Sequence, residues 1–464
     1  MSQNVNGTEH AIKPWALQGP SIQMDPLFPY YEGRSAESVA EEIECAGYRT
    51  VHYFVVQEHK IHTRIIDALQ RRGIAVWAMV LGNGSFGVSH LPPQWSSWKM
   101  ELLREPKDSF QRLSHFAEEY VQWKKAAAAR LVSEVPFDGF EVAEPYFPEW
   151  NGLRSGIYGD VGPHAQRAFK ERYGTEMPEF RNKWAANYYR RVPQLYRRWV
   201  ELRVEAVNGL IDELVNGSGG VRQARPDIRI ATWSLAVRDR RGLAPAKLRE
   251  WQGIDAVEMI RRVRPDMHVL QTHWPDWMRP KLAPDYIGEY KRFADPIQAA
   301  FPGLPLGIQT DIGSLERMIR GRDWLTAFNS SIRGQGYDAW TAYEYHLGGY
   351  MYNEPPVPVK TARSGDDELV ITFSKRIAAV GPESIGVYAT TPDGTREALR
   401  LRAAETDGNR LFLQAEKLPE KAFELEVQGI RDTPELWLFK NRAGHQIPAE
   451  HTVQVESRNV MTKE

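Results

Sequence analysis

The sequence predicts a (β/α)8 TIM barrel followed by a C-terminal antiparallel β-sandwich, and three observations predict it. Apolar strand-like runs alternate with helical stretches eight times over residues 21–345, the count of a closed parallel barrel. Two helix-to-strand links nearly repeat, "RPDIRI" at 225–230 and "RPDMHV" at 264–269, short turn-rich joints of the kind used on the amino-terminal face of such a barrel. After Tyr352 a proline-rich linker, "NEPPVPVK", leads into short alternating runs with no helix between them. A doubly wound open sheet would place a glycine-rich phosphate turn after its first strand, where this chain reads "MDPLFPYYEG".

The elements follow in order. A first strand is expected at 21–24 and a helix at 35–47, opened by Ser35 as N-cap and closed by Gly47. "TVHYFVV" at 50–56 gives the second strand, with its helix at 62–72 ended by Gly73. The third strand is 74–81; a loop holding "GNGSFG" and "LPPQW" separates it from a long helix at 108–132. The fourth strand is 139–144, inside "VPFDGFEVAEPYFPEW", and an insertion divides it from a helix at 192–215. Strands at 228–235, 268–274, 305–311 and 339–345 alternate with helices at 245–263, 284–300 and 315–332. These units assign residues 1–352 to a barrel and 353–464 to an Ig-like β-sandwich, whose turns include "PDG" at 392–394 and "DGN" at 407–409.

Composition narrows the function classes. The chain has 464 residues, 42% hydrophobic and 26% charged, enough for a large core. Its net charge of −1 gives no reason to expect nucleic acid or an anionic membrane as partner. A single cysteine, Cys45, excludes an internal disulfide and a cysteine-rich metal site. The amino terminus shows no basic start followed by an apolar stretch, and no run approaches membrane-spanning length, so a cytoplasmic protein is expected. The oligomeric state is left open. Fifteen tryptophans and nineteen tyrosines fill cores or, near strand ends, offer flat rings to the C–H face of a sugar.

Catalytic side chains of such a barrel stand at the carboxyl ends of its strands. Those positions hold Asp25 (first strand), Glu141 and Glu144 (fourth), Trp233 (fifth), Gln271, His273 and Trp274 (sixth), Gln309 and Asp311 (seventh), and Trp340, Tyr343 and Glu344 (eighth). Carboxylates, amides, an imidazole and tryptophans make the inventory of a sugar site; a phosphate site would want lysine, arginine and glycine-rich loops. Several of these residues have ordinary structural alternatives. Glu141 would also serve as a structural partner for an arginine, His273 as a scaffold residue, and Asp311 as a helix cap. His59 and His62 mark a helix start, and Cys45 is inert.

The arrangement resembles a (β/α)8 glycoside hydrolase. Glu144-Pro145 at the end of the fourth strand is similar to the acid/base position of the large retaining clan, where asparagine commonly precedes the glutamate; here Ala143 does. That clan's nucleophile is a glutamate ending the seventh strand, where this chain has Asp311, while Glu344 stands on the eighth. "DGFEVAE" at 138–144 also resembles, one residue short, the fourth-strand signature of chitinase-like enzymes. The resemblance implies glycosidase action on an oligosaccharide or glycoside without a cofactor. Its catalytic set would be Glu144 with Glu344 or Asp311. Asp25, Glu141, Trp233, Gln271, His273, Trp274, Gln309, Trp340 and Tyr343 would hold the substrate. Two further readings stay open. One is a metal-dependent sugar isomerase or hydrolase using Glu144, His273, Asp311 and Glu344 as ligands. The other is a non-catalytic glycan-binding barrel.

Overall fold

The computed structural model describes residues 17–148, 152–239, 241–279, 281–311, 313–342, 350–449 and 451–458. Among them, eight parallel strands close into a barrel: β1 (Gly19–Met24), β2 (Thr50–Val55), β3 (Ala75–Leu81), β4 (Gly139–Ala143), β5 (Arg229–Ala236), β6 (Met267–Thr272), β7 (Leu306–Thr310) and β8 (Ala339–Ala342), in the cyclic order β1-β8-β7-β6-β5-β4-β3-β2. β4 therefore lies across the ring from β8. The strands read as near-continuous apolar runs because the barrel interior covers one face and helices the other.

The longer helices among the described residues are α1 (Ala36–Cys45), α2 (Thr63–Arg71), α3 (Glu118–Glu134), α4 (Pro163–Tyr173), α5 (Pro193–Asn216), α6 (Ala244–Gln252), α7 (Ala256–Val263), α8 (Lys291–Ala300) and α9 (Arg322–Arg333). Ser35 caps α1 through its side chain, as expected, and His62 precedes α2 at the N-cap. Four expected helices depart from their bounds, among them α8, which starts at Lys291 rather than 284, after a 3-10 turn at Tyr286–Tyr290. α3 starts at Glu118 rather than 108, because Gln111–Arg112 pairs with Gly84–Ser85 as a small rim ribbon. The stretch 245–263 is two helices, broken at Gly253 with φ +71°, where a side chain would meet the Arg203 backbone. α9 starts at Arg322, after a turn of 3-10 helix at Glu316–Met318.

The barrel interior packs Trp77, Met79, Trp233, Met267 and Val269 around a polar chain. Glu141 is fully buried; its Oε1 accepts from His52 Nδ1 at 2.6 Å and its Oε2 from Trp233 Nε1 at 2.9 Å. His52 Nε2 in turn meets Ser21 Oγ at 2.9 Å. On the outer face of the barrel, where alternation sends the residue between Met267 and Val269, His268 sits 2.8 Å from both Thr232 Oγ1 and Ser234 Oγ.

Beyond a short helical turn at Tyr350–Asn353 the described chain is β. β9 (Pro358–Arg363), β10 (Glu368–Phe373), β13 (Leu401–Asp407) and β14 (Arg410–Ala415) form one antiparallel sheet in the order β9-β10-β14-β13. β11 (Gly386–Thr390), β12 (Arg396–Ala398), β15 (Phe423–Gln428) and β16 (Thr452–Val455) form the other, in the order β12-β11-β15-β16. Alternate residues such as Leu369, Ile371, Val387, Leu411, Leu425 and Val427 meet between the sheets, giving the expected sandwich. No helix among the described residues is long and apolar enough to cross a membrane.

Candidate active site

β4 ends in a strained turn. Glu144 follows Ala143 with φ +48°, a left-handed conformation that costs a non-glycine residue of order 1–3 kcal/mol. The turn is held from three sides. The His115 Nε2–H donates to the Pro145 carbonyl at 2.8 Å, and Asn83 Nδ2 donates to the Tyr146 carbonyl at 3.2 Å. The Phe147 N–H donates to the Gln252 carbonyl at 3.1 Å, and Gln252 Nε2 returns a bond to Phe147 O at 3.3 Å. Behind Phe147, the buried Arg203 guanidinium lies 4.6 Å from the ring centroid.

The turn aims Glu144 into a cleft of about 410 Å³ at the carboxyl ends of β3 to β7. Gln271 Nε2 donates to Glu144 Oε1 at 3.0 Å, and Tyr146 Oη donates to Gln271 Oε1. The tyrosine thus fixes the amide the right way round. Burial raises the Glu144 pKa above the ordinary carboxylate range, against the opposing pull of the Gln271 bond and of Arg112. With Oε1 taken by an N–H donor, the acidic proton belongs on Oε2. Trp274, which is 43% exposed, offers its ring at the rim, with Trp277 and Tyr146 below it.

Of the residues expected from sequence, Glu144, Gln271, His273, Trp274 and Gln309 line this cleft together. Burial takes His273 down to about 4, so its imidazole is neutral at neutral pH. The other described ones stand elsewhere. Glu141 and Trp233 bond to each other in the barrel interior, below the rim, and neither lines the cleft. Trp340 faces outward and packs under the helices with Ile308 and Phe328, because strand alternation puts Ala339 inside and Trp340 outside. Asp311 caps no helix but closes a local turn: Oδ1 accepts from the N–H groups of Gly313 and Ser314 at 3.0 Å each and Oδ2 from Ser314 Oγ, while the helix cap expected of it falls to Gly321. Asp25 likewise spends Oδ1 on the Leu27 N–H at 2.9 Å. Neither lines the cleft. Tyr343 and Glu344 lie outside the described residues. Among the described residues no group of three His, Cys, Asp or Glu is placed to hold a metal ion, so Glu144, His273 and Asp311 do not come together as a ligand set.

Sequence reading missed the rim ribbon. Asp108, Phe110 and Arg112 line the cleft opposite β6. Both Asp108 oxygens sit in the Arg112 fork, at 2.9 and 2.8 Å, which holds that carboxyl below its usual pKa range. The only local signal was the four-residue spacing of an acid and an arginine, which reads equally as a helix surface pair.

No protein-family model and no curated protein matches the chain. Solved structures similar to it include the endo-β-1,4-mannanase from Thermotoga petrophila, at 10% identity and TM-score 0.38, over 97% of this chain and 99% of that one. The glycoside hydrolase domain of PelA from Pseudomonas aeruginosa is similar at 11% identity and TM-score 0.38, over 70% of this chain and 95% of that one. A β-galactosidase from Rahnella sp. R3 is similar at 11% identity and TM-score 0.43, over 70% of this chain and 50% of that one.

Proposed function

We propose that this chain cleaves glycosidic bonds, with Glu144 as the general acid. The observation that carries the reading is the Glu144 carboxyl itself. It sits on a strained turn at the end of β4, oriented by the Tyr146–Gln271 relay, with its pKa raised by burial, in a cleft that Phe110, Tyr146 and Trp274 also line. Glycoside cleavage needs one carboxylic acid kept protonated to give its proton to the departing oxygen. A sugar ring stacked on Trp274 would present its glycosidic oxygen to Oε2 while the Gln271 and Gln309 amides meet hydroxyls.

The second carboxyl must be ionised, as nucleophile or as base for a water. Glu344 is our assignment. It follows β8 by two positions in the sequence, and β8 lies across the barrel from β4. Asp311 gives its oxygens to the turn at 313–314 and Asp108 gives both to Arg112, and a carboxylate engaged on both oxygens is a poor nucleophile. A separation of ~5–5.5 Å between the two carboxyls would give retention, and ~6.5–9.5 Å inversion.

Glu144→Gln is expected to lower turnover on a matched glycoside by at least ~10²-fold with the fold intact. In the wild type, activity should persist above the ordinary carboxylate range and fall as pH rises through the raised pKa of Glu144, since the acid must be protonated. Near wild-type rates in Glu144→Gln would sink the assignment. If the enzyme retains configuration, azide should rescue Glu344→Ala and yield a glycosyl azide. Rescue of Asp311→Ala or Asp108→Ala instead would move the nucleophile there.

A further inference from the structure

The insertion between β4 and α5 carries a cationic face outside the cleft. Arg181, Lys183, Arg190, Arg191, Arg197 and Arg198 are all exposed, and residues 180–200 contain no Asp or Glu. None of the six forms an ion pair with a described carboxylate. The flanking acids are engaged elsewhere: Glu179 gives Oε1 to the backbone N–H groups of Arg181 and Asn182, at 2.6 and 2.9 Å, and Glu201 gives both oxygens to Arg249, at 2.9 and 2.6 Å. Arg190 and Arg191 precede the first turn of α5, and Arg197 and Arg198 lie on its second; that first turn has no acidic residue. The amino end of a helix is already the positive end of its dipole, so these arginines add like charge to like charge. A folded surface that keeps such an arrangement gains from a bound anion.

The same segment carries Trp184, 73% exposed. Lys183 Nζ lies 5.0 Å and Arg191 Cζ 5.9 Å from the ring centroid. Arg191 also donates to the Trp184 carbonyl at 3.2 Å, which holds the segment in shape. A flat ring flanked by cations suits a pyranose that stacks by its C–H face while its acid groups reach the guanidinium forks. The patch is tied to the cleft wall. Arg181 donates to the Leu103 carbonyl at 2.8 Å, and the loop that holds Leu103 continues to Asp108, Phe110 and Arg112, which line the cleft.

We propose that Trp184 and these six cations form an accessory site for a polyuronate, an anionic polysaccharide whose chain runs from the cleft across the loop 99–112. Five of the six cations are arginines, whose planar forks match planar carboxylates. The choice of a sugar polymer over other polyanions rests on the glycoside reading of the cleft.

The test is binding, read by calorimetry on the full chain, with polygalacturonate as probe and neutral mannan, heparin and duplex DNA beside it. Wild type and Glu144→Gln should bind polygalacturonate alike, more weakly as salt rises. Trp184→Ala, and Lys183→Ala with Arg197→Ala, should each weaken it about tenfold or more while thermal unfolding stays at the wild-type temperature. Unchanged binding in both variants would overturn the site. So would mannan binding as tightly as polygalacturonate, or heparin or DNA binding more tightly. Because binding is read in Glu144→Gln, the two proposals fail separately. Patch-dependent polyuronate binding without glycoside cleavage would sink only the catalytic reading, and cleavage without such binding would sink only the patch.

Discussion

Glu141 and Glu144 stand three positions apart and meet opposite fates. Glu141 is inside the strand, where alternation points it into the barrel, and both its oxygens are spent on buried donors, His52 Nδ1 and Trp233 Nε1. Glu144 is past the strand, where a left-handed backbone turns it out of the ladder and into the cleft. A buried carboxylate with two committed donors is a packing device, and its removal strands the donors. Glu141→Ala is therefore expected to destabilise the barrel by ~2–5 kcal/mol, the sum of two unsatisfied buried groups. Chemical denaturation of the full chain followed by tryptophan fluorescence would read this as a lower midpoint. A midpoint within error of wild type would show that His52 and Trp233 find other partners.

The turn after β4 works as an element because neighbouring segments hold it, and one of its supports is sensitive to acid. Burial pushes the His115 imidazole down to about 4, so it is neutral at neutral pH and donates from Nε2 to Pro145 O. In the unfolded chain it would titrate near 6.5, so the unfolded state takes up the proton first as pH falls. The contribution of His115 to stability is then complete above about 6.5 and is lost as pH drops toward about 4. His115→Phe should lower the unfolding midpoint at pH 7.5, by about 1 kcal/mol for the lost hydrogen bond. The same variant should lose less than wild type between pH 7.5 and pH 5. Parallel pH dependences in the two proteins would refute the assignment of that acid loss to His115.

The same scale shows what the sequence made legible. All eight barrel strands and the sandwich were readable, because apolar runs, caps such as Ser35 and breaks such as Gly73 are local signals. What was missed depended on distant partners. Nothing near 108–117 announces that Gln111–Arg112 will pair with Gly84–Ser85 and delay α3. The cleft was half legible for a related reason. Gln271 and Gln309, register partners near the ends of β6 and β7, both line the cleft, a placement the strand ends alone suggest. Trp233 and Glu141 were set too high, since the layer a side chain occupies depends on barrel stagger, and Trp340 was set on the wrong face of a short strand.

At the scale of the whole molecule, barrel and sandwich are joined by buried polar contacts on α1. Arg34 and Glu42 form an ion pair with side chains 0% and 1% exposed. Glu42 Oε1 also accepts from Tyr30 Oη at 2.5 Å and from the Arg376 N–H at 3.1 Å, so one carboxylate serves both parts. Arg34 reaches Asn409 Oδ1 at 3.0 Å, and the Ser35 N–H reaches Asp407 Oδ1 at 2.7 Å. Between Asp407 and Asn409, Gly408 has φ +60°, and a Cβ there would fall 2.2 Å from both Arg34 Nε and Ser38 Oγ. Gly408→Ala should thus act twice. It adds a backbone cost of ~1–2 kcal/mol, and it drives Arg34 off Glu42, where breaking a buried pair costs ~3–5 kcal/mol. The expected result in scanning calorimetry is a sandwich that unfolds below the barrel, where the wild type unfolds in one joint transition. The two costs separate in an Arg34→Ala background. There the pair is already gone, so Gly408→Ala should add only the backbone cost. An equally large effect in both backgrounds would mean that Gly408 acts through the turn alone and that the Arg34–Glu42 pair does not hold the sandwich to the barrel.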